Sequence, residues 1–457
     1  MITAPAHAQD QLWLRQFGTS SADEASALAS DGVGGVMVAG STEGSLGGPN
    51  AGGPDAFLAR YDSKGGQLWM IQFGTAEADL ALALSPDLSG GTFLAGKTEG
   101  DLDGSNAGGF DAFLARYDSD GVRLWIHQLG TDAEDRAHAL APDGAGGVII
   151  AGKTHGSMAA PNVNGSGDVF LARYDAEGSQ IWLRQFGTKE EEKPFALATD
   201  GAGGVYVAGE TDGSLGGPFG GVVDAFLVRY DQDGNQLWAR QLGTSSDEAA
   251  TSLAPDGAGG VLIGGFTDGS LGGPNEGNSD GFLARYDSAG NQLWIRQFGT
   301  SEIDGPQGLA PDGAGGAMMV GFTSGDLGGP LNGIADAFLA HYDTDGNRLF
   351  IRQFGSTALD FAVSVALDTT GAVMIAGVTQ GDLGGPNAGQ EDAFLARYGE
   401  APCFADCDGS GDINTLDFLC FLNLFSASDP AADCDGSGSI NTLDFLCFLN
   451  AFNDGCP

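Results

Sequence analysis

The chain has 457 residues, 78 of them glycine, and its 61 acidic side chains against 19 basic ones give a net charge of -42. That length is too great for one compact core, so the chain must divide or repeat a unit. Its charge repels phosphate backbones and excludes nucleic acid as a natural partner; no apolar run approaches the roughly 18 residues of a membrane span.

At the N-terminus, Ala6-His7-Ala8 before Gln9 has the small-x-small form of a signal-peptidase site, so residues 1–8 read as a signal-peptide remnant. A repeat then begins on the phrase Gln11 to Phe17. The Asp-x-Phe-Leu phrase starts at Asp55, Asp111, Asp168, Asp224, Asp280, Asp336 and Asp392, a period of 56 with a single 57. The Gln-Leu-Trp phrase carries Trp13, Trp69, Trp125, Trp182, Trp238 and Trp294, with Phe350 as the exception. Turn signals divide one copy into four short strands, at residues 26–30, 36–39, 55–61 and 68–73. Seven such units are the arithmetic of an all-β, seven-bladed propeller over residues 9–399. The chain opens on the fourth phrase and the repeat closes on the third, Asp392 to Tyr398, so the N-terminal strand should complete the last blade.

The phrases Ala-x-Asp-x-x-Gly, Val-x-Val-Ala-Gly-x-Thr, Asp-Ala-Phe-Leu-Ala-Arg-Tyr and Leu-Trp-x-Arg-Gln-Phe-Gly resemble the bacterial SBBP-type β-propeller repeat family over residues 11–398. The resemblance implies a fold and secretion or surface exposure, with no single activity. The Tyr-Asp-x-x-Gly-x-x-Leu-Trp turn is also similar to the tryptophan-docking phrase of quinone-dependent dehydrogenase propellers, whose cofactor-site residues are not evident in this sequence.

One acid precedes the first strand of every copy: Asp23, Asp79, Asp135, Glu192, Glu248, Asp304 and Asp360. If the first strand lines the central channel, these carboxylates form an acidic ring at its mouth, a cation site or a collar for a basic ligand. The alternative is structural, a carboxylate accepting backbone N–H groups in the turn after Gly-Thr. Copied acids supply no asymmetric constellation, and no catalytic residue is assigned. His127 belongs to an outermost strand and His138 to an innermost one, so they form no dyad. Two first-strand columns change in every copy: Ser26, Leu82, His138, Phe195, Thr251, Gln307 and Val363, and also Glu24, Leu80, Arg136, Lys193, Ala249, Gly305 and Phe361. Arg136, Lys193 and Phe195 should fall on adjacent blades, a basic and aromatic spot suited to a sugar or a peptide carboxylate.

All six cysteines lie in the tail, 400–457. Residues 406–417 read Asp-Cys-Asp-Gly-Ser-Gly-Asp-Ile-Asn-Thr-Leu-Asp, and 433–444 repeat the pattern 27 positions later. Oxygen donors at places 1, 3, 5, 9 and 12, with glycine at 6, are calcium-loop spacing. The first ligand set is Asp406, Asp408, Ser410, Asn414 and Asp417 with the Asp412 carbonyl; the second is Asp433, Asp435, Ser437, Asn441 and Asp444 with the Ser439 carbonyl. Apolar helices should follow at 418–425 and 445–452. This duplicated half-EF-hand resembles a type I dockerin, with departures: serine stands at place 5, and the cysteines are foreign to the usual pattern. The resemblance implies two calcium ions and a cohesin-like or other surface partner, met through Thr415, Leu416, Thr442 and Leu443. Symmetry favours the bridges Cys407–Cys420 and Cys434–Cys447, with Cys403–Cys456 clasping the ends, among the fifteen pairings that six cysteines allow. Clustered cysteines suggest an oxidising compartment and so a secreted or cell-surface protein.

These features favour a non-enzymatic binding or scaffold protein with a calcium-dependent tail. A polysaccharide lyase or hydrolase acting at the propeller mouth and a surface-layer component are the competing readings.

Overall fold

A computed structural model describes residues 10–87, 89–162, 166–399, 405, 407, 413–434 and 439–454. The chain divides into two compact units, Met1–Tyr398 and Gly399–Pro457. Among the described residues the first holds 28 strands in seven four-stranded sheets. β1 (Asp10–Phe17) is followed by the first complete blade: β2 (Asp23–Ser30), β3 (Val36–Thr42), β4 (Asp55–Tyr61) and β5 (Gln67–Phe73). Strands β6 to β25, between residues 79 and 354, repeat that pattern five times. The last sheet runs β1-β28-β27-β26, with β26 at Asp360–Leu367, β27 at Val373–Thr379 and β28 at Asp392–Gly399. The N-terminal strand therefore closes the ring, as the phase of the repeat requires.

Glycine and alanine set how closely the inner strands approach. A Cβ on Gly40 would stand 1.8 Å from the Glu24 carbonyl oxygen, so β2 and β3 come nearer than a larger residue permits. Phe57, Leu58, Val36 and Val38 and their counterparts are fully buried between neighbouring blades.

Blades are also tied by their indoles. Trp13 Nε1 donates to the Ser63 carbonyl of the next blade at 2.9 Å, and the pattern recurs from Trp69 to Ser119, Trp125 to Ala176, Trp182 to Gln232, Trp238 to Ser288 and Trp294 to Thr344. Each ring lies over a turn glycine such as Gly65, whose φ of +75° and missing Cβ leave room for it. Phe350 departs from tryptophan for a reason in the chain's path. In the other blades the indole meets the turn that joins the third and fourth strands of the next blade, and in the last blade those strands, β28 and β1, are not consecutive in the chain.

The first strands begin three residues earlier than their small side chains suggested. Asp23 opens β2, paired with Thr42, because its N–H is held by the Glu391 carbonyl of the preceding blade at 2.9 Å.

In the second unit, α1 (Thr415–Ser426) and α2 (Thr442–Asp454) flank a short 3-10 turn, Pro430–Ala432. Phe421, Ala432 and Phe448 are buried at its centre, with the Phe421 and Phe448 rings stacked 4.0 Å apart. Bridges join Cys407 to Cys420 and Cys434 to Cys447; Cys403 and Cys456 lie outside the described residues. No described helix is long and apolar enough to cross a membrane.

Candidate functional site

Every first strand carries a β-bulge at the same place. In β2 the pairing with β3 skips from Ala25 to Ala27, and the same skip passes over Leu82, His138, Phe195, Thr251, Gln307 and Val363 in the other six blades. A bulge leaves its extra residue unpaired and re-aims its side chain. All seven bulged residues line a central cavity of about 500 Å³, with Glu24, Ala25, Phe266 and Val378 completing the wall. A column that changes in every copy is thus one that faces the channel. Beyond it a smaller cavity of about 160 Å³ is lined by Leu28, Leu84, Leu140, Leu197, Leu253, Leu309 and Val365.

The mouth of this cavity is built from two facing rows, the residue after each first-strand acid and its partner on the second strand. On the second to fourth blades these rows supply Lys97 opposite Leu80, Arg136 opposite Lys153 and Lys193 opposite Glu210. On the fifth to seventh they supply Phe266, Phe322 and Phe361; the Phe322 and Phe361 rings meet edge to face at 4.7 Å. The mouth is basic on one side and aromatic on the other.

The basic side shares its charge with a few acids. Lys153 pairs with Glu191 at 2.8 Å, Lys193 with Glu210 at 2.8 Å and Glu191 at 3.2 Å, and Arg136 with Glu134 at 2.9 Å. Lys97 and Arg136 both lie over the Phe110 ring, at 4.3 and 5.0 Å. Burial, then the charge of Arg136, lowers Lys97. Desolvation opposes charge on Lys193 as well, but Glu210 and Glu191 outweigh it and hold the ammonium protonated. His138 sits among these cations, and burial followed by Arg136, Lys97, Lys153 and Lys193 lowers it to about 4. It is neutral at physiological pH, and its ring meets Phe195 edge to face. On the first blade, next to the one that carries Lys97, Glu24 is raised, by desolvation and then by Glu391 and Glu43.

The other expected residues fall as follows. Asp23, Asp79, Asp135, Glu192, Glu248, Asp304 and Asp360 are fully buried, and none of them lines the channel cavity. Each carboxylate accepts the backbone N–H and hydroxyl of the threonine or serine four residues earlier, as Asp135 does from Thr131 at 2.6 and 2.8 Å. An open collar at the channel mouth is therefore not formed, because the strand reaches back to enclose the acid. His127 stacks between Trp125 and Tyr174 on an outer strand, with ring centroids 5.0 and 5.9 Å away.

In the tail, Asp406, Asp408, Ser410, Asp412, Asp435 and Ser437 lie outside the described residues. Among the remaining ligand candidates, Asn414 and Asp417 behave like Asn441 and Asp444 in the second copy. Asn414 N–H donates to Asp417 Oδ2 at 2.9 Å and Asn441 N–H to Asp444 Oδ2 at 2.8 Å, and both aspartates are fully buried. Carboxylates fixed at the base of a loop whose expected donors are all oxygen suit a hard cation. Thr415, Leu416, Thr442 and Leu443 lie at the exposed starts of the two helices, with Leu416 and Leu443 61% and 60% exposed. Leu419 and Leu446, which the loop pattern does not single out, stand exposed beside them at 55% and 54%; their recurrence 27 positions apart, one helical turn after Leu416 and Leu443, is the signal that marks them.

Residues 181–216 match the SBBP Beta-propeller repeat. Regulatory protein FlaEY of Caulobacter vibrioides is 30% identical over 235 residues, covering 48% of this chain and 24% of that protein. WD repeat-containing protein L264 of Acanthamoeba polyphaga mimivirus is 20% identical over 332 residues, covering 53% and 24%. The chain thus spans about a quarter of the length of the curated relatives it matches. Among solved structures, polysaccharide lyase Uly1 aligns with a TM-score of 0.47 at 10% identity, covering 82% of this chain and 89% of that one. Puromycin hydrolase aligns at 0.44 and 15%, covering 83% and 54%.

Proposed function

We propose that this is a non-enzymatic, secreted or cell-surface binding protein whose channel mouth holds a carboxylate-bearing ligand, an acidic sugar or a peptide. The observation that carries this reading is the asymmetry of the mouth. Seven near-identical blades there present cations on three and phenylalanines on three others, around a cavity large enough for one or two sugar rings. Cations bind the carboxylate, and aromatic faces bind the apolar side of a pyranose or a peptide side chain. The tail serves for attachment through a dockerin-like, calcium-dependent surface made by Thr415, Leu416, Thr442 and Leu443. The disulfides accord with an oxidising, extracellular setting.

A second reading, a polysaccharide lyase or hydrolase, rests on Glu24, a raised carboxyl on the cavity wall one blade away from Lys97. A panel of acidic and neutral oligosaccharides and acidic peptides, assayed for both binding and product release, separates the two. Binding of acidic members without turnover is the expected result. Release of shortened products, abolished in Glu24→Gln, would replace binding with catalysis.

A further inference from the structure

Two carboxylates are buried side by side at every blade junction. One begins the Asp-x-Phe-Leu strand; the other opens the first strand of the next blade. The Asp79 N–H donates at 2.7 Å to the carbonyl of Pro54, the residue before Asp55, and the equivalent bond forms at all seven junctions. Asp55 and Asp79 are 1% and 0% exposed. A Cβ on Gly74 would fall 2.3 Å from Asp55 Oδ1 and 3.0 Å from Asp79 Oδ2, so both carboxylates close on a position that only glycine can hold. The same geometry recurs at Gly18, Gly187 and Gly299.

Their hydrogen bonds leave oxygens over. Asp55 Oδ2 accepts from Ala51 N–H at 2.9 Å and Gln72 Nε2 at 2.8 Å, and Asp79 Oδ2 from Thr75 N–H at 2.5 Å and Thr75 Oγ1 at 2.9 Å. Oδ1 of both residues is buried without a partner, and Oδ1 of the Asp-x-Phe-Leu aspartate is left so in all seven blades. The ring's arginines are engaged elsewhere, as Arg60 is with Asp31. Among the described residues, no lysine, arginine or histidine forms an ion pair with any of these acids.

Two adjacent buried carboxylates without a counter-charge are costly. A shared proton would cancel one charge of the two, whereas a divalent cation cancels both. Burial raises Asp135, Asp168, Glu192 and Asp304 above the usual carboxylate range, and the N–H and O–H donors aimed at them offset only part of that cost; an oxygen-only donor set suits calcium. We propose that each blade junction is a calcium site, in which the free Oδ1 of the Asp-x-Phe-Leu aspartate and the carboxylate opening the next blade hold one ion, seven in the ring.

The test is a count of bound calcium by equilibrium dialysis, made on the full chain, on Asp417→Ala/Asp444→Ala to disable the tail loops, and on Asp55→Asn and Asp168→Asn. The tail variant is expected to keep about seven ions, one for each junction, and each single Asn variant to lose one. EDTA should lower the melting temperature of the β signal in all of them. The proposal is overturned by a full chain that holds no more than two ions, none of them remaining in the tail variant. It is equally overturned if the ring takes up no calcium and its melting temperature rises as pH falls from about 7 to 5, the sign of a shared proton.

Discussion

A chain lacking residues 10–17 is expected to melt at least about 10 °C below the full protein, although only one terminal strand is lost. That strand is the outer edge of the last blade and also its link to the first. Gln16 Nε2 donates to Gly381 O and Asp392 Oδ2, both at 2.9 Å, and Gln16 Oε1 accepts the Leu383 N–H at 2.9 Å. Trp13 reaches the Ser63 carbonyl, and Phe17 packs on Phe57 and Tyr61 at 6.1 and 5.7 Å. Several hydrogen bonds at about 1 kcal/mol each and the apolar side chains of Trp13, Leu14 and Phe17 at about 1.5–3 kcal/mol each sum to on the order of 10 kcal/mol. A loss of that size lowers the melting temperature by on the order of 10 °C or more in a chain this large. Thermal unfolding followed by circular dichroism checks it. An unchanged melting temperature would mean that the ring closes without β1.

Reduction of the disulfides should unfold the helical tail and leave the propeller intact. Each bridge spans 13 residues, and a loop of that length is worth about 3 kcal/mol in the chain-entropy picture. A core centred on Phe421, Ala432 and Phe448 supplies a few kcal/mol at most, so losing both bridges removes about as much stability as the unit has. The readouts separate cleanly, because all six tryptophans lie in the ring, between positions 13 and 294. With a thiol reductant present, the helical circular dichroism signal should fall while tryptophan emission keeps its folded maximum. Helix that persists after complete reduction would show that the fold of the tail does not rest on its bridges.

Much of this fold is legible in the amino-acid sequence, because each copy repeats its turn chemistry and apolar alternation without conflict. The phase of the phrases specifies the closing strand, and free variation at Ser26, Leu82 and His138 marks the channel. What the sequence conceals has physical causes. Small residues such as Ala25 and Ala27 hide the start of the first strand, so acids that end up sealed between blades look like a rim. The bulge between them leaves no mark in hydrophobic periodicity. Lys97, Lys153, Phe266 and Phe322 lie on second strands, one residue before an otherwise constant threonine. Half of the mouth is therefore invisible to a comparison of first strands alone.

The most direct measurement on the binding reading is calorimetric titration of the full chain with a uronic-acid oligosaccharide and a neutral one of equal length. The acidic sugar should bind at least about tenfold more tightly than the neutral one, and Arg136→Ala/Lys193→Ala should remove at least that factor, as loss of charge-assisted hydrogen bonds implies. Equal affinity for the two sugars, or an unchanged affinity in the double variant, would contradict a carboxylate site at the channel mouth.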